Sequence, residues 1–363
     1  MKFLLLSPGQ CDSPVTWSGT SKNILEGFYR IVGKDKVAYI NMYSFIPRVL
    51  KAFVILYSKV FFVGGNKTRN RFVFPLFAKK CRKFICKENP KGWNLFIADH
   101  AASLLPDSVL SAVYIDSDYL VWAPNVDGIC KDSYLRYFEK KTGASFRKMN
   151  LIFTMNEWTR DYTIKHYGLP ESKVFNVGFG INVKLYYGNK NYSEKRMLIV
   201  LRKGREKMKG LVLLLNALKI ARQTYPDLSL DVVGTDYGNG EENVRCWYNF
   251  PRSKTTELFQ KASLYVMPSQ GEPNGITYLE ALANKAPIVG LKGFAVPEFS
   301  GYGKYGFVID EVSPDAVART IVEAFSDVER LKKMGEDGQA FVADRFSWDN
   351  VTNQMYNIMI NHK

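Results

Sequence analysis

Residues 269–285, SQGEPNGITYLEALANK, constrain the fold more than any other stretch of the chain. The apolar run 262–268 precedes them and predicts a buried strand. A loop with Glu272, Pro273, Asn274 and Gly275 follows, and then Ile276, Tyr278, Leu279, Leu282 and Ala283 recur at helical spacing. A strand, a short loop and a helix make the unit that turns backbone N–H groups and a positive helix end toward an anion. Two carboxylates, Glu272 and Glu280, flank that helix start. Carboxylates repel phosphate and accept hydrogen bonds from hydroxyls, so they are expected to face other atoms than the N–H groups do. A ligand with a diphosphate at its centre and a sugar at each end fits this layout. The plain alternative is a solvated helix with two surface carboxylates.

A length of 363 residues predicts two domains, each with a core of its own. The five cysteines show no paired CxxC spacing, which argues against a disulfide framework or a zinc site and for a reduced, cytoplasmic protein. The opening MKFLLLSPGQ has too short an apolar run for a signal peptide and reads as a first buried strand. Arg48, Lys51 and Lys59 interrupt the longest membrane-span candidate. The net charge is +15, and between Lys51 and Lys91 eleven basic residues face the single Glu88, a local +10. Such a cluster suits a nucleic acid, an anionic membrane or polymer surface, or plain solubility.

In the N-terminal half, residues 3–7 read as a strand, and Ser18, Gly19 and Thr20 open a helix that runs to about Ile31. A loop between strand and helix is where ligands bind in an open α/β sheet, and Gly19 lets the backbone approach closely. Residues 37–40 predict a second strand. Residues 47–62 and 67–87 predict helices with one basic side and an aromatic side that includes Phe53 and Phe72; the pattern suits docking on a sheet or an interfacial helix at lipid headgroups. Strands over 94–98 and 111–115 end at His100 and at Asp116 and Asp118. His100 is a cleft candidate; Asp116-x-Asp118 also matches a metal-binding Asp-x-Asp. A strand-like stretch over 148–155, a helix from Asn156 to near Gly168 and a short strand over 175–177 follow, and the polar stretch 186–195 reads as a linker.

The second half opens with a strand over 197–201, then Arg202, a loop to Lys209 and Gly210, and a helix over 211–225. A strand over 228–233 ends at Gly234, and a Gly-, Asn- and Tyr-rich loop runs to Phe250. A helix over 255–261 leads into the organising stretch. Strands over 287–290 and 307–309, a helix over 313–325 and a final helix from Phe346 complete the chain.

Glu272 and Glu280 form an E-x7-E pattern, and with this order of elements the chain resembles the retaining glycosyltransferases of family 4 (group 1). The resemblance covers the second half almost completely and the first half loosely. It implies an α/β fold of two Rossmann-like, doubly wound parallel-sheet domains facing a cleft, the GT-B fold. An acceptor-binding domain over 1–185 and a donor-binding domain over 195–345 are expected, with the C-terminal helix 346–363 returning to the first. The implied activity is transfer of a hexose from a nucleotide-diphospho-sugar, with GDP-mannose as the lean and UDP-glucose or UDP-N-acetylglucosamine open, to a glycan, glycoprotein or lipid-linked hydroxyl in glycan biosynthesis. Arg202 and Lys209 are expected to neutralise the diphosphate, Glu272 to orient the sugar and Glu280 the ribose. Asn274, Gly275, Ile276, Thr277, Gly19, Gly234 and Phe250 complete the donor set, the last near the base. Ser18, Thr20, His100 and Asp118 are acceptor or cleft candidates. Leu201 stands where the family has Gly, and the Arg-to-Lys spacing is long, so Lys207 rivals Lys209. No metal or other cofactor is expected. The expected partners are the nucleotide sugar, the acceptor, an anionic membrane surface that members acting on lipid-linked acceptors meet with such a basic face, and a second copy of the chain, with no nucleic acid. The competing readings are a metal-dependent transferase using Asp116 and Asp118, and a non-enzymatic polyanion binder using residues 51–91.

Overall fold

The computed structural model of the chain describes residues 2–61, 70–98, 101–126 and 131–362. Two compact units emerge: Met1–Gly180 with Trp348–Lys363, and Ile181–Ser347. Each is an α/β layer structure around one parallel sheet.

In the first unit the chain runs β1 (Phe3–Ser7), α1 (Thr20–Val32), β2 (Val37–Asn41), α2 (Arg48–Phe61), α3 (Phe74–Glu88), β3 (Trp93–Ile97), β4 (Ser111–Ile115), α4 (Tyr119–Val126), α5 (Asp132–Lys148), β5 (Leu151–Thr154), α6 (Glu157–Tyr167) and β6 (Val174–Asn176). The sheet order is β2-β1-β3-β4-β5-β6, and all pairs are parallel. Parallel strands are covered on both faces, so β1, β3 and β4 are buried along their whole length. The strand order reverses between β1 and β3, which puts this sheet's ligand edge at the loops after those two strands.

The second unit runs β7 (Arg196–Val200), α7 (Leu211–Ala221), β8 (Ser229–Val233), β9 (Val244–Trp247), α8 (Arg252–Lys261), β10 (Leu264–Val266), α9 (Ile276–Ala283), β11 (Ile288–Leu291), α10 (Val296–Phe299), β12 (Gly306–Ile309), α11 (Pro314–Ser326) and α12 (Val328–Arg345). Its parallel sheet has the order β12-β11-β10-β7-β8-β9. Numbered within the unit, that is the dinucleotide-binding order 3-2-1-4-5-6, with the reversal between β7 and β10. The loops after β7 and β10 therefore flank the crevice at the carboxyl ends of the strands. These are the loops that carry Arg202 to Lys209 and Glu272 to Gly275.

The last helix, α13 (Trp348–Asn361), belongs to the first unit, as the fold expectation required. Arg30 on α1 donates to Asp349 at 2.6 and 3.0 Å, and the Tyr356 ring lies 5.9 Å from Phe3. The stretch 186–195 is not a tether. The Tyr186 N–H donates to the Ala283 carbonyl at 3.0 Å, Lys190 donates to the Phe259 carbonyl at 2.8 Å, and the Tyr192 hydroxyl donates to the Lys285 carbonyl at 2.6 Å. These bonds satisfy carbonyls at the ends of α8 and α9, so the polar residues that read as a linker act as caps for the second unit.

Candidate active site

The loop after β7 is coiled on itself. Its turns close through Lys209 N–H to the Arg205 carbonyl at 2.8 Å and Leu211 N–H to the Glu206 carbonyl at 2.8 Å. Glu206 anchors it to the neighbouring strand end by accepting from the Thr235 hydroxyl at 2.7 Å and from the Gly204 N–H at 3.0 Å. Lys203 pairs with Asp236 at 3.1 Å and lies over the Tyr248 ring at 4.5 Å. Arg202 and Lys207 are exposed, whereas the Lys209 side chain is 16% exposed.

The loop after β10 is bound to the first loop at several points. The Met208 carbonyl accepts from the Gln270 N–H at 3.0 Å and from the Ser269 hydroxyl at 3.1 Å. Gly210 has φ 77°, and a Cβ there would lie 2.1 Å from the Pro268 carbonyl oxygen, so the two backbones touch where a side chain has no room. Across this contact the Lys209 ammonium meets the Glu272 carboxylate. Burial, then Arg202 and Arg205 as like charges, pull the Lys209 ammonium down to about 8. Glu272 is the ion-pair partner of this ammonium.

Helix α9 begins after Gly275, which takes the left-handed conformation at φ 67°, ψ 59°. The helix is held from beneath by two buried tyrosines: Tyr278 donates to the Met267 carbonyl at 2.5 Å, and Tyr265 donates to the Thr277 hydroxyl at 2.7 Å. Burial pushes both phenols up, which keeps them neutral donors. Amides in the first turn of a helix lack intrahelical acceptors, and those of Gly275, Ile276 and Thr277 open this one.

Two expectations about the carboxylates change. Glu272 does not avoid the amides: its Oε1 accepts from the Gly275 N–H at 3.0 Å while Oε2 faces Lys209. A side chain three residues before an amide at a helix start can fold back as its acceptor, and here that geometry outweighs the division of labour inferred from charge. Glu280 is 6% exposed, on the buried face of α9, so the helix is not a solvated one with two surface carboxylates.

The other candidates divide between the two units. Gly234 (φ 99°) donates its N–H to the Trp247 carbonyl at 3.0 Å, and a Cβ there would lie 1.9 Å from the Leu201 carbonyl oxygen, so it lets β8 run close to the loop after β7. Phe250 packs on Trp247 with ring centroids 4.9 Å apart, just past the edge strand β9. In the first unit, Trp17 (φ 47°), Ser18 (φ 56°) and Gly19 (φ 87°) form a left-handed turn that delivers the chain to Thr20 at the start of α1. His100 lies outside the described residues.

Asp118 directly precedes α4. It is 2% exposed, its Oδ1 accepts from the Leu120 N–H at 2.7 Å, and its Oδ2 accepts from the Tyr167 hydroxyl at 2.9 Å. It caps α4 and ties α6 to it. Sequence reasoning missed Glu206, Ser269 and Tyr278. The first sits in a run of basic residues, and the other two are recognisable only once β7 and β10 lie side by side.

Residues 188–341 match the family model described as glycosyl transferases group 1. D-inositol 3-phosphate glycosyltransferase of Corynebacterium urealyticum is 27% identical over 168 residues, 41% of this chain and 39% of that protein. A GDP-mannose-dependent alpha-(1-6)-phosphatidylinositol monomannoside mannosyltransferase of Mycolicibacterium smegmatis is 28% identical over 159 residues, 39% of this chain and 41% of that protein. The chain thus spans about two fifths of the length of these curated relatives. The structure of sucrose-phosphate synthase from Thermosynechococcus elongatus aligns with a TM-score of 0.70 at 13% identity, covering 99% of each chain. That likeness is one of fold, the pair of Rossmann-like units called GT-B. Through residues 188–341, borne on a unit of dinucleotide-binding strand order, the chain is similar to the glycosyl transferases group 1 family.

Proposed function

We propose that the chain is a retaining, metal-independent glycosyltransferase that moves a hexose from a nucleotide-diphospho-sugar to an acceptor hydroxyl, with GDP-mannose the preferred donor. The observation that carries this reading is the gathering of Lys209, the Arg202 loop, Glu272 and the start of α9 at the β7/β10 reversal of the second unit. Breaking the bond from the sugar C1 to its phosphate oxygen leaves an extra negative charge on the nucleoside diphosphate. Lys209, Arg202 and the α9 amides stabilise that charge in fixed positions, where a single aimed donor contributes about 3 kcal/mol. The acceptor oxygen bonds to C1, and its proton passes to an oxygen of the departing diphosphate, so no side-chain nucleophile is required. Glu272 orients the sugar, and Glu280 accepts from the ribose hydroxyls. The preference for GDP-mannose is supported by the similarity to the GDP-mannose-dependent mycolicibacterial mannosyltransferase.

Calorimetry with GDP, UDP, GDP-mannose, UDP-glucose and UDP-N-acetylglucosamine in EDTA tests this. GDP-mannose is expected to bind, and NMR of the product to show the donor's anomeric configuration. Loss of turnover in EDTA, or an inverted product, would sink the corresponding part of the reading. Glu280→Ala is expected to weaken GDP about 10- to 100-fold, the worth of one or two hydrogen bonds to a charged acceptor. Unchanged affinity removes Glu280 from the ribose.

The partner at the first unit is an anionic lipid surface. Val49, Phe53, Leu56 and Val60 recur at helical spacing on α2 and are 79, 40, 64 and 57% exposed. Phe53 meets Phe72 with centroids 6.3 Å apart, and the Phe72 stripe continues along α3 through Leu76 to the exposed Lys79 and Lys83. An outward apolar stripe that ends in cations suits an acyl–headgroup boundary. Among the described residues no helix is long and apolar enough to cross a membrane. Lys79→Ala/Lys83→Ala is expected to weaken binding to phosphatidylglycerol-containing vesicles about 30-fold, at about 1 kcal/mol per cation near the surface. Leu56→Asp is expected to weaken it as well. Binding that is insensitive to salt, or equal on zwitterionic vesicles, argues against the assignment.

A further inference from the structure

We propose that Glu272 is an internal occupant of the anion site: without ligand its carboxylate holds the positions that a diphosphate takes, and their exchange releases it toward the sugar. This rests on reading the site as a donor site. The Gly275 N–H at the start of α9 and the Lys209 ammonium are both groups that recognise anions, and Glu272 engages one with each oxygen. Its side chain folds back over the helix start, its Cγ passing 3.2 Å from where a Cβ on Gly275 would stand. At 20% exposure the carboxylate is reachable by an incoming ligand.

Three consequences follow from this placement. An arriving diphosphate must displace a covalently tethered competitor, which lowers the apparent affinity for the nucleotide by the fraction of time the site is open. Displacement frees the carboxylate to accept from sugar hydroxyls, so a complete nucleotide sugar recovers what the bare nucleotide loses. After transfer, the returning carboxylate competes with the nucleoside diphosphate and speeds its departure.

The test is calorimetry of wild type, Glu272→Ala and Glu272→Asp with GDP, UDP and GDP-mannose, with thermal melts to show that each variant is folded. In Glu272→Ala the nucleoside diphosphate is expected to tighten about tenfold, as for a site occupied nine-tenths of the time, and its release in stopped flow to slow. GDP-mannose is expected to gain less. Glu272→Asp keeps the charge but is one methylene too short to hold Lys209 and the Gly275 N–H together, so it is expected to tighten too. Wild-type affinity in both variants, or tightening in Glu272→Ala alone (the mark of charge acting through space), overturns the proposal and leaves the donor site standing. Failure of wild type to bind any of these ligands overturns the donor-site reading and this inference with it.

Discussion

Replacing Lys209 with Ala is expected to lower kcat/KM by about 10²- to 10³-fold, the usual cost of removing one preorganised group from a developing oxyanion. The expectation follows from burial as much as from charge. Lys203 and Lys207 share the loop, but Lys207 points to solvent and Lys203 is committed to Asp236 and Tyr248. Exposed cations are screened, whereas a cation in a water-poor site keeps most of its field. Lys207→Ala is therefore expected to change kcat/KM less than about threefold, a surface charge being worth under about 1 kcal/mol. A characteristic pH dependence follows for Lys209. With its ammonium drawn down to about 8, the protonated form that attracts a diphosphate is complete below that pH and is lost above it. The terminal phosphate is already fully ionised there, its last pKa being about 6. Nucleoside diphosphate affinity should stay level up to pH 8 and then fall by as much as tenfold per pH unit, with proton uptake on binding. Lys209→Arg, whose guanidinium stays protonated, should flatten that fall while retaining much of the affinity. A wild-type profile that is level to pH 10, or an identical slope in the Arg variant, would remove Lys209 from the diphosphate.

How much of this was legible before any coordinates depends on which physical rule each element obeys. The strand expected over 262–268 forms over Leu264–Val266, and helix α9 forms where the apolar spacing placed it, because a buried parallel strand and an apolar helix face both write themselves into composition. Elements that break those rules went unread. Strand β9, Val244–Trp247, is a half-exposed edge strand in a polar, Gly-rich stretch, and its pairing to β8 supplies the order its composition lacks. Helix α12 carries Gly335 and Gly338 in its interior, which lowers helix propensity. Those glycines allow close packing: a Cβ would lie 2.4 Å from the Lys285 carbonyl oxygen at the first and 2.7 Å from Leu282 at the second. In the site itself, the E-x7-E spacing singled out Glu272 and Glu280, and the family resemblance pointed to Lys209 with Lys207 as its rival. Neither indicated that Glu272 folds back onto Gly275, because that contact depends on a loop reversal that no residue-type pattern encodes.

The same reasoning yields a second large effect, at a residue with no side chain. Gly210→Ala is expected to destabilise the protein by about 3 kcal/mol, well above the ~1 kcal/mol centre of point-substitution effects. Two costs combine. A left-handed backbone at φ 77° costs a non-glycine residue about 1 kcal/mol or more. The new methyl would also stand 2.1 Å from the Pro268 carbonyl oxygen, and a backbone atom fixed after β10 cannot yield as a flexible side chain would. Relief requires the two loops to part. In a unit of this size, about 3 kcal/mol lowers Tm by roughly 6–12 °C. Separation of the loops also takes Lys209 away from the α9 start, so nucleotide affinity should fall although Gly210 contributes no functional group. Gly204 is the matching control. It is left-handed at φ 84°, but a Cβ there meets nothing within 4 Å, so Gly204→Ala should show the conformational cost alone, about 1 kcal/mol. Equal melting temperatures for the two variants would mean that the close approach of β7's loop to Pro268 does not hold the site together, and that the alignment of Lys209 with Glu272 has another origin.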